Sequence, residues 1–258
     1  MFVLVGLGLK LEHLTLEALE IIKACDKVFL EKYTLDISYD FDALTKLTGK
    51  NIKLIERKDV ESYSFLPLSE EKDKKTNKNV ALLVFGDPLI ATTHTELLLE
   101  AKQRGLETRI IHNISILNVI SRTGLQPYKF GKIASIPFWQ ENIEYRPCGF
   151  YNLLEQNQKI GAHTLFLLDL NPIDNKYLSP GLAIEMLIKC EMLKKKQIIN
   201  EDTLFIVCSR LCSNTEKIVV GKYNKIKSIG FGLPPHCIII PGPPHFKEQE
   251  FLSQFNSS

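Results

Sequence analysis

The chain lacks much of what several function classes require. Its 32 Lys and Arg stand against 30 Asp and Glu, a net charge of +2, so it has no concentrated basic surface of the kind that gives nucleic-acid binders their affinity. Its six cysteines contain no C-x-x-C pair and lie singly in apolar runs. That argues against a zinc site and against a disulfide framework, and they read as buried thiols of a reducing compartment. No apolar run approaches the ~20 residues that span a bilayer. The opening MFVLVGLGLKLEH has no basic stretch before its apolar run and no small-residue cleavage site after it, so the expectation is a cytoplasmic protein without a membrane or nucleic-acid partner. Also missing are a G-x-x-x-x-G-K-[ST] phosphate loop, a G-x-S-x-G elbow and an H-E-x-x-H helix. No metal is expected.

What is present is alternation. With 258 residues, 45% of them hydrophobic, the chain can bury the core of one large α/β domain or two smaller ones. Residues 2–5 form an apolar β run that ends in Gly6 and Gly8, and Thr15 can cap a helix whose Leu16, Leu19 and Ile22 share a face. Further β runs follow at 27–30, 80–85 and 108–111. Between the last two, a helix runs to Arg104 and stops at Gly105, which makes a parallel βαβ unit. The charge run at 70–75 reads as a solvated loop. Later runs at 165–169, 203–208 and 237–240, with a helix around 181–194, supply strands and a crossover, and between them the run at 217–220 and the prolines at 234, 235, 241, 243 and 244 suit antiparallel strands and ordered turns. The expected fold is two α/β domains. The first, 1–132, has a mostly parallel sheet with flanking helices; the second, 133–258, has a mixed sheet, the connection being marked by the prolines and Trp139 of SIPFW.

The stretch VFGDPLIATTHTE (84–96) breaks a strand and restarts as a helix. In an open parallel sheet, ligands bind beyond the carboxyl ends of the strands, and three such ends are GLGL (6–9), GDPLI (86–90) and HNISI (112–116). Gly86 permits a sharp turn and Pro88 stiffens the backbone around Asp87. That carboxylate can serve as a turn residue or hold ribose or amine groups. Thr93 and Glu96 match the capping box S/T-x-x-E, and His94 inside it reads as a local hydrogen-bonding residue. Gly6 and Gly8 begin a G-x-G-x-x-G pattern, but Leu11 holds the third glycine position and a nicotinamide site is rejected.

The motifs FVLVGLGL, CDKVFLEKYT, VFGDPLIATTHTELLLEAKQRG, IIHNISILNVISRTGLQPYKFGK, GAHTLFLLDL and PPHCIIIPGPPHFKEQEFL, in this order, resemble the diphthine synthase (diphthine methyl ester synthase) family, which belongs to the tetrapyrrole-methylase-like class. Leu89 and Ile90 stand where eukaryotic members carry phenylalanine and glycine, a form nearer the archaeal one. The resemblance implies a homodimeric enzyme that uses S-adenosyl-L-methionine, releases S-adenosyl-L-homocysteine, and holds its cofactor in a cleft between the two domains. Its substrate would be the 3-amino-3-carboxypropyl-histidine of translation elongation factor 2. The family's cofactor contacts carry over to Leu9, Asp87, Ile90, Ser115, Ile116, Leu168, Leu211 and His236, many of them through main-chain atoms. No catalytic residue is assigned. Asp87 is expected to shape the cofactor pocket and not to act as the base. Two other readings stay open: a tetrapyrrole methylase, and a translation-factor binding protein that has lost the cofactor.

Overall fold

The structure is a computed structural model that describes residues 1–33, 39–67, 79–139, 146–171 and 176–255. The charge run at 70–75 lies outside the described residues. Contacts divide the chain into two units, Met1–Val119 and Ile120–Ser258.

The first unit holds a five-stranded sheet in the order β3-β2-β4-β1-β5, every pairing parallel. Its strands are β1 (Phe2–Gly6), β2 (Lys27–Glu31), β3 (Ile52–Ile55), β4 (Val80–Val84) and β5 (Thr108–Ile111). The helices are α1 (Leu16–Ala24), α2 (Phe41–Thr48), α3 (Arg57–Glu61), α4 (Thr95–Gln103) and α5 (Ile116–Val119). Side chains on a strand alternate between faces, and β1 shows the consequence. Val3 and Val5 pack with Ala18, Ile21 and Ile22 of α1 and Leu44 of α2, whereas Phe2 and Leu4 pack with Val60 of α3 and Leu97 and Ala101 of α4. Both faces are covered, so β1 and β4 read as unbroken apolar runs. From β1 the chain proceeds to β2 on one side, while from its neighbour β4 it proceeds to β5 on the other. That reversal is the topological switch point at which open α/β sheets place ligands.

The second unit holds β6 (Ala134–Ile136), β7 (Thr164–Leu168), the hairpin β8 (Leu170–Asn171) with β9 (Lys176–Tyr177), β10 (Phe205–Ser209), β11 (Lys217–Gly221) and β12 (His236–Ile240). Its sheet runs β11-β10-β12-β7-β6, antiparallel except for the β6–β7 pair. With α6 (Gly149–Lys159), α7 (Pro180–Lys194), α8 (Tyr223–Ile226) and α9 (Phe246–Leu252), it matches the expected mixed α/β arrangement.

Three details differ from the sequence reading. Residues 120–132, assigned there to the first domain, are tied to the second unit: Gln126 N and Lys129 Nζ donate to Glu248, Gly131 N donates to His163 O, and Lys132 N donates to Asn157 Oδ1. SIPFW is therefore not the connection; its Ser135 and Ile136 lie within β6. The capping box at Thr93 does not form. Helix α4 starts one residue later, with His94 at its N-cap and no side-chain cap bond, because the His94 ring is committed elsewhere. Finally, Cys148 and Cys190 form a disulfide between α6's N-terminus and α7, with Cα atoms 5.9 Å apart. The reading of all six cysteines as thiols is corrected for that pair, which tertiary packing brings together from 42 residues apart; Cys25, Cys208 and Cys237 stay buried thiols. Thr15 caps α1 as expected, its hydroxyl accepting from Ala18 N at 3.0 Å.

Candidate functional site

The loops after β1, β4 and β5 are joined into one structure by their own hydrogen bonds. Beyond the last paired residues of β1 and β4, Gly8 and Gly86 form an isolated antiparallel bridge: Gly86 N donates to Gly8 O at 2.9 Å, and Gly8 N donates to Gly86 O at 3.1 Å. Asn113, in the loop after β5, donates through Nδ2 to Gly6 O and His13 O, both at 3.0 Å. The closeness of these loops demands glycine at position 6. An added Cβ would stand 2.7 Å from Gly86 O and 2.9 Å from both Asn113 Cβ and Pro88 Cδ, tighter than real contacts allow. Gly6→Ala is therefore expected to force the loops apart, lowering stability by about 1–3 kcal/mol. Urea unfolding of the variant checks this, and an unchanged stability would contradict the close approach of the loops.

Asp87 is the knot of this cluster. Its side chain is buried. Oδ1 accepts from Leu89 N at 2.9 Å, the local turn that Asp favours. Oδ2 accepts from Asn113 N at 3.1 Å and from His112 Nδ1 at 2.9 Å. A carboxylate holding three donors fixes the β4 loop against the β5 loop. Around it, Leu9 N donates to His13 Nδ1 at 3.2 Å. Burial, and then the charge of Lys10, push His13 below the usual imidazole range, so this ring is a neutral acceptor. Ser115 is buried; its hydroxyl donates to Asn118 Oδ1 and accepts from Leu117 N, closing the turn that starts α5. Thus Leu9, Asp87, Ile90 and Ser115 stand on three interlinked loops at the carboxyl end of neighbouring strands, and Ile116 opens α5 directly after them.

Beneath the β4 loop lies a buried ion pair that the sequence did not reveal. His94 Nε2 is 2.9 Å from Glu31 Oε2, with side chains 3% and 0% exposed. His94 Nδ1 donates to Pro88 O at 2.9 Å, and the Thr92 hydroxyl donates to the same carbonyl at 3.0 Å. His94 is a local hydrogen-bonding residue, as the sequence suggested.

In the second unit, Leu168 ends β7, Leu211 follows β10 and His236 opens β12. The pairs Ser209–His236 and Cys237–Leu167 place all three at one end of the sheet. His236 Nδ1 shares a 2.8 Å hydrogen bond with the Ser209 hydroxyl. Burial, followed by the Arg210 guanidinium, lowers its pKa to about 4, so this imidazole is neutral near pH 7. A cavity of about 350 Å³, lined by Gly124, Gln126, Glu248 and Phe251 among others, contains none of the expected site residues. Among the described residues, no cluster of three or more His, Cys, Asp or Glu suits a metal ion and no helix is long and apolar enough to cross a membrane.

At Gly86 the φ of +77° favours glycine, and a Cβ there would make only ordinary contacts, with Ile114 O and the Leu9 side chain at 3.8 Å.

Comparison with known proteins gives consistent results. The family model for tetrapyrrole (corrin/porphyrin) methylases matches residues 1–227. A diphthine synthase of Methanocaldococcus jannaschii is 40% identical over 256 residues, covering 98% of this chain and 97% of the relative. A diphthine methyl ester synthase of Schizosaccharomyces pombe is 35% identical over 272 residues, covering 99% and 94%. A crystal structure of a diphthine synthase superposes with a TM-score of 0.84 at 33% identity, covering 99% of this chain and 96% of that one.

Proposed function

We propose a function from one premise: the chain belongs to the tetrapyrrole (corrin/porphyrin) methylase family, and within it to the diphthine synthases. It is a methyltransferase of diphthamide biosynthesis. It takes methyl groups from S-adenosyl-L-methionine and places them on the 3-amino-3-carboxypropyl-histidine of translation elongation factor 2. The observation that carries this reading is the near full-length match to diphthine enzymes of an archaeon and a eukaryote. The protein works as a homodimer in the cytoplasm, where its protein substrate is found.

Leu9, Asp87, Ile90, Ser115 and Ile116 hold the donor from the first unit, mostly through main-chain atoms. The Asp87 carboxylate already accepts from Leu89 N, Asn113 N and His112 Nδ1, so its part is to keep the loop rigid. Leu168, Leu211 and His236 are further donor contacts assigned from the family resemblance. When bound, the donor supplies a methyl carbon on a sulfonium, an excellent leaving group. The chain's own contribution is then alignment, which supplies ~7–11 kcal/mol in favourable cases, together with delivery of the amine in its neutral form.

The test is incubation with elongation factor 2 carrying the unmethylated intermediate and with methyl-labelled donor, followed by mass spectrometry of the modified histidine. Stepwise methyl increments are expected. Their absence, with methylation of a porphyrinoid instead, would overturn the reading in favour of a tetrapyrrole methylase. A thermal-shift titration with S-adenosyl-L-homocysteine should stabilise the protein by about 2.7 kcal/mol at a hundred times Kd; no shift would point to a binding protein without cofactor.

A further inference from the structure

The methylated group is an amine, and an ammonium has no lone pair, so each N-methylation requires that one proton first be removed. Resting on the function proposed above, we propose that His112 is the proton acceptor for this amine, with Asp87 as the residue that orients it.

The geometry that leads there is a carboxylate–imidazole dyad at the rim of the loop cluster. His112 immediately follows β5, and its side chain is 65% exposed while that of Asp87 is 7% exposed. Nδ1 lies 2.9 Å from Asp87 Oδ2. Because a carboxylate accepts and does not donate, the proton of the neutral ring is on Nδ1, and the Nε2 lone pair is the free one. Nε2 has no hydrogen-bond partner among the described residues. The dyad is also braced: the same Oδ2 takes Asn113 N at 3.1 Å, and Asn113 is anchored to Gly6 O and His13 O. A buried acid, an imidazole fixed in one tautomer and an outward nitrogen together make a general base.

Asp87 and the other histidines around these loops are committed. Asp87 holds three donors. On the 3-10 turn Leu11–His13, which follows Lys10 and contains Glu12, the His13 ring accepts from Leu9 N. His94 is buried with both ring nitrogens engaged, one by Pro88 O and one by Glu31, and the Tyr33 hydroxyl stands beside it at 3.5 Å. Asp87 is the one charged group within ion-pair distance of His112 among the described residues. In the step, an N–H bond of the ammonium breaks, an Nε2–H bond forms, and the nitrogen keeps the electron pair that forms the new bond to carbon. The imidazolium then gives its proton to solvent, and the cycle repeats for each methyl added to nitrogen.

The experiment measures methyl transfer to the elongation factor 2 intermediate by wild-type protein and by His112→Gln and His112→Asn, from about pH 6 to about pH 10, alongside S-adenosyl-L-homocysteine thermal shifts. A general base is commonly worth 10²–10⁴-fold, so a loss of about 10²-fold near pH 7 is expected. Both variants should keep the ligand-induced shift of wild type. Their rates should climb with the amine's own ionisation and approach wild type at the alkaline end, where no acceptor is needed. Equal rates for variant and wild type at every pH would overturn the proposal. So would a loss of the same size across the whole range, which marks a structural role, or a lost thermal shift, which marks a misplaced donor loop. If wild type binds S-adenosyl-L-homocysteine but transfers no methyl to this amine, the underlying function fails and the assignment of His112 falls with it.

Discussion

Replacing His94 with alanine is expected to lower stability by about 3–5 kcal/mol, the usual consequence of removing one member of a buried ion pair. Glu31 ends β2 with a fully buried side chain, and His94 Nε2 is its partner at 2.9 Å. The other ring nitrogen faces Pro88 O, also at 2.9 Å. With an acceptor facing each nitrogen, the imidazolium is the form these neighbours favour. Burial acts to lower its pKa, but the hydrogen bond and charge of Glu31, aided by the Pro88 carbonyl, outweigh burial and raise it. The sign of the pH dependence follows. A pKa raised above the unfolded value of ~6.5 contributes stability that is complete below that pH and fades as pH rises through the folded-state value. Wild type should therefore lose stability on the alkaline side of ~6.5 by a component that His94→Gln lacks. Urea unfolding at a series of pH values measures it. The double variant Glu31→Gln with His94→Gln should recover most of the loss, since a neutral pair carries no buried charge. A double variant no more stable than His94→Ala would refute the ion-pair account. The pair also holds the Pro88 carbonyl of the loop that carries Asp87 and Ile90.

How much of this was readable beforehand depended on whether the signal was local. Strands β1, β2 and β4 announced themselves as short apolar runs bounded by glycine or charge, because a parallel sheet covered on both faces selects for continuous apolar residues, and the edge strand β5 was marked by Gly105 before it. Strand β3 did not: Ile52–Ile55 is an edge strand whose middle residues Lys53 and Leu54 are exposed, so its run is short and mixed. The interlinked loops at 6–9, 86–90 and 112–116 were legible as strand ends. Their linkage was not, because Asn113 reaches residues about a hundred positions away and no pattern in the sequence marks such a bond. His112 and Asp87 illustrate the same limit. They are 25 residues apart, and only the order β4-β1-β5 sets their loops side by side. The mistaken capping box at Thr93 has a similar cause. The local pattern was genuine, but the tertiary bonds of His94 to Glu31 and Pro88 fixed the helix start one residue further on.

Glu248→Gln should produce a comparable loss in the second unit, with the opposite pH signature. Glu248 lies in the first turn of α9 and is 1% exposed. Its two oxygens take four donors: Gln126 N at 2.8 Å and His163 Nε2 at 3.1 Å on Oε1, Lys129 Nζ at 2.7 Å and His245 N at 2.6 Å on Oε2. Burial works to raise its pKa, but Lys129, the two backbone amides and His163 overcome burial and hold it at about 2. Against an unfolded value of 4.5, the difference corresponds to about 3 kcal/mol at ~1.4 kcal/mol per pH unit, complete above the unfolded pKa and lost as pH falls towards 2. The glutamine variant removes that contribution and turns an amide donor towards groups that are donors themselves, so a loss of about 3 kcal/mol near pH 7 is expected. His163 adds a separate window. Its Nδ1 accepts from Gly242 N, leaving Nε2–H for Glu248, and burial lowers its pKa, so wild type also loses stability as pH falls below ~6.5 and this ring is forced to charge. Between pH 4.5 and 2, wild type should therefore unfold steeply while Glu248→Gln shows a flatter profile from a lower starting point. Parallel acid-unfolding curves for the two proteins would sink the assignment of Glu248 as the group that binds residues 120–132 to the second unit.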